Sequence, residues 1–400
     1  MDNGGAPTGR WRRNRIIAVA VALWLVLGSM ATGCSAPMPP LPDHDVAELQ
    51  VLPVAVLVPL SGELATFGEA VRNGVGLALD EWSARGGVVG RRLRAEWMDT
   101  PCEADAAEAV ARQTVAQGIG FLLGGMCSEA AVPIARVAEE TGSLFIATAA
   151  THPMVTVTPG GTTRARVFTV ALPYPYQGRA VAHFVVESLN ITRTAVFAAA
   201  DPFARDILAA YEPTLIALGG RVVSTAGIGG PDADLSAAVE AAVVAGAGAF
   251  YVPGSAALVA QVGRAASSAG LNVPVIGSDW WSQPDIALPE LDGAYLISHY
   301  TLDETDGQVT EWAQRFRSAY AVEPDALAAL GYDAACLLAA GISGSDDVTP
   351  EAVARTIAAS SYSGVTGQWR FDARHHPLKS AVLVQVDAGR LHRVAAASVE

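Results

Sequence analysis

Residues 51–90 read VLPVAVLVPLSGELATFGEAVRNGVGLALDEWSARGGVVG, and their reading decides the fold. Positions 52–60 form a continuous apolar run, as in a strand buried on both faces. Positions 69–85 then carry apolar residues at helical spacing, and Gly86-Gly87 stops them. A doubly buried strand leading into a helix is the unit of a parallel sheet with helical crossovers.

The same alternation continues outward. Strands are predicted over 93–98, 121–123 and 144–147, with helices over 104–117 and 128–141. A second series starts after Leu172-Pro173. Its strands fall at 194–199, 221–224, 249–252 and 273–276, and its helices at 178–188, 203–218, 235–245 and 256–269. The chain closes with helices at 308–320 and 326–340 and strands near 368–371 and 381–386. This pattern predicts an α/β protein with two doubly wound parallel sheets, helices covering both faces of each.

Ahead of that body, Arg10, Arg12, Arg13 and Arg15 precede an apolar segment of 12 residues, 16–27, and then Leu27-Gly28-Ser29-Met30-Ala31-Thr32-Gly33-Cys34. A charged start, a short apolar middle and small residues at the cut are the parts of a secretory signal peptide. A membrane-spanning helix needs about 20 apolar residues, more than this segment has. Ala-Thr-Gly before Cys34 resembles a bacterial lipobox, although Ala31 stands where leucine is usual. Cys34 is therefore the expected lipidation site, anchoring the protein to a bacterial membrane from outside the cytoplasm. Arg12-Arg13 reads as ordinary basic charge, with export by the general or the twin-arginine route left open. Pro37, Pro39, Pro40 and Pro42 form a stiff spacer.

The 400 residues carry a net charge of −14, and removal of residues 1–33 makes the remainder more acidic still. Such a surface argues against nucleic-acid binding. Lys379 is the only lysine. Cys102 and Cys127 are the expected disulfide in an oxidising compartment, closing a loop of about 26 residues worth about 3–4 kcal/mol. Cys336, on an apolar helix face, is expected to be a buried free thiol. His375-His376 before a proline reads as an exposed turn. No metal-ligand cluster, nucleotide loop or catalytic motif stands out, so neither a cofactor nor an enzymatic activity is expected.

In an open α/β sheet, ligands bind beyond the carboxyl ends of the strands. Three such places carry suitable chemistry. Gly124-Gly125-Met126-Cys127-Ser128-Glu129 follows one predicted strand, with Ser128 as cap of the next helix and the helix start as a carboxylate site. Thr148-Ala149-Ala150-Thr151 offers backbone groups and hydroxyls. Asp279 beside Trp280 and Trp281 suits a cation. Each also reads as a plain cap or turn.

Taken with Pro59-Leu60-Ser61-Gly62, Phe67-Gly68, Arg85-Gly86-Gly87-Val88-Val89-Gly90, Gly331-Tyr332-Asp333-Ala334 and Gly367-Gln368-Trp369-Arg370-Phe371-Asp372, these segments resemble the Leu/Ile/Val-binding protein family of ABC-transporter solute-binding proteins. The resemblance spans about residues 52–390. It implies two Rossmann-like lobes joined by three crossovers, near Ala171, Ser298 and Lys379, with a ligand in the cleft. It divides the chain into residues 51–170 plus 300–378 as lobe 1 and 172–298 plus 380–400 as lobe 2, after a signal peptide (1–33) and a linker (34–50). It further implies that Ser128, Ala149, Ala150 and Thr151 hold an amino acid's α-carboxylate and that Asp279 holds its ammonium. Phe67, Phe203, Trp280 and Leu327 would line the walls.

Two positions depart from the family pattern. Ser255 stands where an aromatic is expected, leaving room for a larger side chain, and Glu129 where a second small hydroxyl residue is expected. The expected protein is a monomeric, lipid-anchored binder that delivers an amino acid to an ABC permease. A ligand sensor for a membrane receptor, or a binder of amides, urea or small carboxylates, is the alternative.

Overall fold

The computed structural model describes residues 1, 49–230, 233–279, 281, 287–302 and 306–397. Cys34, the signal segment, the Pro-rich linker and Trp280 lie outside the described residues.

The opening stretch forms β1 (Gln50–Val58), whose second half is fully buried, and α1 (Ala65–Ala84). There follow β2 (Arg91–Asp99), α2 (Ala104–Ala116), β3 (Phe121–Gly124), α3 (Ser128–Thr141), β4 (Leu144–Ala147) and β5 (Val167–Thr169). These five strands make one parallel sheet in the order β2-β1-β3-β4-β5. The order reverses between β1 and β3, so their carboxyl ends open a crevice. β5, only three residues long, has no period to be read from sequence.

The second series gives α4 (Tyr174–His183), β6 (Arg193–Ala198), α5 (Pro202–Ala217), β7 (Arg221–Gly227), α6 (Ser236–Val244), β8 (Ala249–Val252), α7 (Ala256–Ser268), β9 (Val275–Gly277) and β10 (Tyr295–Ser298). The sheet runs β7-β6-β8-β9-β10, repeating the first sheet's order, and continues into β14 (Ala381–Asp387) and β15 (Arg390–Ala397). Those last two strands pair antiparallel, so a C-terminal hairpin edges a parallel sheet.

Between β10 and β14 lie α8 (Gly307–Tyr320), α9 (Ala326–Ser343), α10 (Pro350–Ala359) and a small sheet of β11 (Ser361–Gly364), β12 (Gly367–Phe371) and β13 (Pro377–Leu378). They return to the first lobe. Buried residues of the first-lobe clusters come from 54–171 and 300–369; those of the second come from 172–297 and 381–397. α9 is apolar on nearly every face because it is buried among neighbours. It crosses α1 so closely that a Cβ on Gly74 would sit 1.9 Å from the Ala328 carbonyl oxygen.

Two expectations need correction. Cys336 is buried as predicted, but it is disulfide-bonded and not a free thiol. Its apolar surroundings foretell burial and say nothing about a partner. His375 and His376 do form a turn, yet His376 is buried and His375 stacks on Phe168 at 4.2 Å. Lys379, about which the sequence raised no expectation of burial, is 5% exposed; its Nζ donates to Thr366 Oγ1 at 2.9 Å, and it lies over the Trp369 ring.

Candidate functional site

The crevice at the first sheet's reversal is built by two turns. β3 ends on Gly124, whose φ of 117° and 2.1 Å approach of a would-be Cβ to the Leu57 carbonyl oxygen both demand glycine. The chain then reaches Cys127, which has extended angles and is the N-cap of α3. Its disulfide to Cys102 ties the start of α3 to the loop after β2, with Cα atoms 5.6 Å apart. Ser128 is thus the first helical residue and not the cap that the sequence suggested. The turn is one residue shorter than expected, and this frees the Ser128 hydroxyl. It accepts from the His152 N–H at 3.3 Å and lies 3.2 Å from the Tyr174 hydroxyl.

Beyond β4, Thr148 is buried, its N–H and hydroxyl both donating to the Gly124 carbonyl at 2.8 and 3.2 Å. The alternation that follows turns Ala149 and Thr151 toward the crevice. Ala150 faces away, 1% exposed, its carbonyl accepting from Thr169 Oγ1 at 3.1 Å.

The second lobe supplies the opposite wall. Asp279 follows β9 and directs Oδ2 at the protein: Gln177 Nε2 donates to it at 2.8 Å and His299 Nε2 lies 2.9 Å away. The Leu172 N–H approaches His299 Nδ1 at 3.5 Å, which assigns the ring proton to Nε2 and makes that nitrogen the donor to Asp279. Burial pushes the His299 pKa down, opposed by Asp279, so the ring stays neutral. Among the described residues no hydrogen bond falls on Asp279 Oδ1.

One cavity of about 400 Å³ collects these groups. Of the predicted residues, Phe67, Ser128, Ala149, Thr151, Phe203, Asp279 and Leu327 line it, as do Cys102, Cys127 and Glu129. Ala150 and Ser255 do not; Ser255 is the N-cap of α7, after β8. Trp281, which sequence reasoning had not placed in the wall, lines the cavity as well, its Nε1 donating to the Ile297 carbonyl at 2.9 Å. Sequence reasoning missed Tyr174 and His299, which lie at the crossovers and carry no periodic signal. It also missed Asp325, whose position just before the apolar run of α9 is the available clue. Asp325 caps α9 through the Ala328 N–H at 2.8 Å, and burial raises its pKa. Among the described lining residues there are three carboxyl groups, Glu129, Asp279 and Asp325, and no arginine or lysine. Leu64, Phe67, Met126, Phe203, Trp281 and Leu330 make the rest largely apolar.

Two reversed-order sheets that present polar groups from opposite sides to one enclosed, apolar-walled cavity define a solute-binding protein. The family description "Periplasmic binding protein" matches residues 51–390, and the chain belongs to that family. It is 26% identical over 324 residues to the leucine-, isoleucine-, valine-, threonine- and alanine-binding protein of Pseudomonas aeruginosa, covering 80% of this chain and 86% of that one. It is 25% identical over 363 residues to the Leu/Ile/Val-binding protein of Escherichia coli K12, covering 86% and 92%. The branched-chain amino acid transporter substrate-binding protein of Streptococcus pneumoniae, solved in complex with isoleucine, superposes with a TM-score of 0.74 at 25% identity, covering 87% of this chain and 99% of that chain. The protein is a binder of the two-lobe periplasmic type and not an enzyme, and the family places it outside the cytoplasm.

Proposed function

We propose that the protein is the solute receptor of an ABC importer, that it binds an α-amino acid with a branched-chain or larger apolar side chain, and that it passes this ligand to a permease. The observation that carries this reading is the polarity of the cavity. Ser128, Thr151 and the start of α3 offer donors from one lobe, while Asp279 offers an acceptor from the other. A zwitterion matches both: the carboxylate meets the helix start and hydroxyls, and the ammonium meets Asp279 Oδ1. The apolar walls then receive the side chain. The ligand similarity of the relatives points the same way. Cys34, outside the described residues, would hold the receptor at the membrane through a lipid thioether, with the Pro-rich linker as spacer, and an Sγ used in that way is not available for a disulfide with Cys336. The crossovers near Ala171, Ser298 and Lys379 would serve as hinge.

Calorimetry against leucine, isoleucine, valine, larger apolar amino acids, their amides and simple carboxylates tests the ligand class. Amino acids are expected to bind best; tighter binding of compounds without an amine would refute the reading. Membrane fractionation of Cys34→Ser tests the anchor, with release expected and retention of an intact precursor counting against it.

A further inference from the structure

Tyr174 was absent from every sequence-based expectation, yet it sits at the centre of the carboxylate end of the cavity. It opens α4 directly after the first crossover. Its N–H donates to the Thr151 carbonyl at 3.0 Å, and its hydroxyl also interacts with the Thr151 side chain. The ring is 7% exposed. It packs edge-on against Phe203 of the second lobe, centroids 4.7 Å apart, and against His152 at 5.8 Å.

We propose that Tyr174 is a positioning residue for ligand recognition: its hydroxyl fixes the direction of the Ser128 hydroxyl, so that the one serine proton points into the cavity. This rests on the amino-acid reading above insofar as it needs a carboxylate at that place. The argument is a count of donors and acceptors. A serine hydroxyl has one proton and two lone pairs. The His152 N–H occupies one lone pair of Ser128 Oγ. The Tyr174 hydroxyl, 3.2 Å away, either takes the serine proton or fills the second lone pair. A bound carboxylate only accepts, so the orientation that satisfies every oxygen runs from the Thr151 hydroxyl to the Tyr174 oxygen, from Tyr174 O–H to Ser128 Oγ and from Ser128 O–H to the ligand. Burial, together with the charges of Asp279 and Glu129, raises the Tyr174 pKa and keeps the phenol protonated and able to donate. Successive hydrogen bonds of this kind polarise one another. Because Ser128 belongs to the first lobe and Tyr174, with Phe203 against its ring, to the second, the orientation of Ser128 depends on both lobes.

Tyr174→Phe keeps the ring and removes the donor. Calorimetry would compare wild type, Tyr174→Phe, Ser128→Ala and the double variant, using an amino acid and its amide. For the acid, Tyr174→Phe is expected to weaken binding about 5- to 30-fold, the range for loss of one oriented, charge-assisted contact. For the amide, the change should stay within about twofold. In the Ser128→Ala background the same substitution should cost the acid less than about twofold. Equal losses for acid and amide would reduce Tyr174 to a wall, and so would an undiminished loss without Ser128. If simple carboxylates lacking an amine bind as well as the amino acid yet show the same Tyr174 dependence, the amino-acid reading fails and the Tyr174 role stands. If the wild type takes no carboxylate-bearing compound, both are refuted.

Discussion

Asp279 lines the cavity and directs Oδ2 at the protein, while among the described residues no hydrogen bond falls on Oδ1. Gln177 and His299 converge on Oδ2, and His299 is itself fixed by the backbone of the first crossover. Two neutral donors hold the carboxylate in place without cancelling its charge, so a ligand ammonium meets a fixed, side-on acceptor. A charge-assisted hydrogen bond of that kind is worth about 1.5–3 kcal/mol. Asp279→Asn should therefore weaken an amino-acid ligand by about one to two powers of ten in calorimetry and spare a ligand without an amine. Unchanged amino-acid affinity would remove Asp279 from the site. At this scale the sequence was informative wherever a residue follows a strand: Ser128, Thr151 and Asp279 could be named because the carboxyl ends of parallel strands point to one place. Orientation within a turn could not be read. Nothing in the sequence around Asp279 says that Trp281 lines the cavity, and the one-residue shift of the α3 cap was equally hidden.

Among the elements, the segment joining β13 to β14 holds the most unusual chemistry. Asp333 of α9 is fully buried and accepts from the Val365 N–H at 2.9 Å and from the N–H and hydroxyl of Thr366 at 2.8 and 2.6 Å. Lys379 reaches the same Thr366 hydroxyl and has its pKa lowered to about 7 by burial, with Asp333 pulling the other way. The sign follows from proton counting. Between about pH 7 and the unfolded value near 10.4, the unfolded chain binds the proton that the folded chain has shed, so stability rises with pH across that window. Lys379→Met removes the group while keeping its length. Chemical unfolding at pH 7 and pH 9 should show wild type gaining about 2 kcal/mol relative to Lys379→Met over that interval. Parallel curves would mean that Lys379 titrates as it does in water. The helix α3 and the continuous apolar runs of β4 and β8 match their sequence-predicted spans, whereas β5, β13 and the closing hairpin were missed or shortened. Three-residue strands have no period, and a hairpin on a sheet edge is defined by partners distant in the chain.

For the whole molecule, the question is how two lobes act as one receptor. The chain passes between their cores three times, and two of those passages are bonded to each other through Leu172 and His299. His299 in turn contacts Asp279, so the residue proposed to meet the ligand's ammonium is linked to the crossover region, while Ser128 and Thr151 belong to the opposite lobe. Between the lobes His152 Nε2 stands 3.8 Å from Asp206 of α5, and the His152 ring meets Tyr174 edge-on at 5.8 Å. A ligand held at both ends favours the closed arrangement, because only that arrangement satisfies both ends together. A ligand held at one end shifts nothing beyond its own differential affinity. Small-angle scattering should therefore show a smaller radius of gyration for wild type at 100-fold excess over Kd, where binding alone adds about 2.7 kcal/mol of stability. Asp279→Asn, saturated to the same multiple of its own Kd, should gain the same stability without the full contraction, since the ligand then rests on the first lobe alone. Contraction equal to wild type would show that closure is driven by the apolar walls, Phe67 and Leu327 against Phe203 and Trp281, and not by the charge that bridges the cleft.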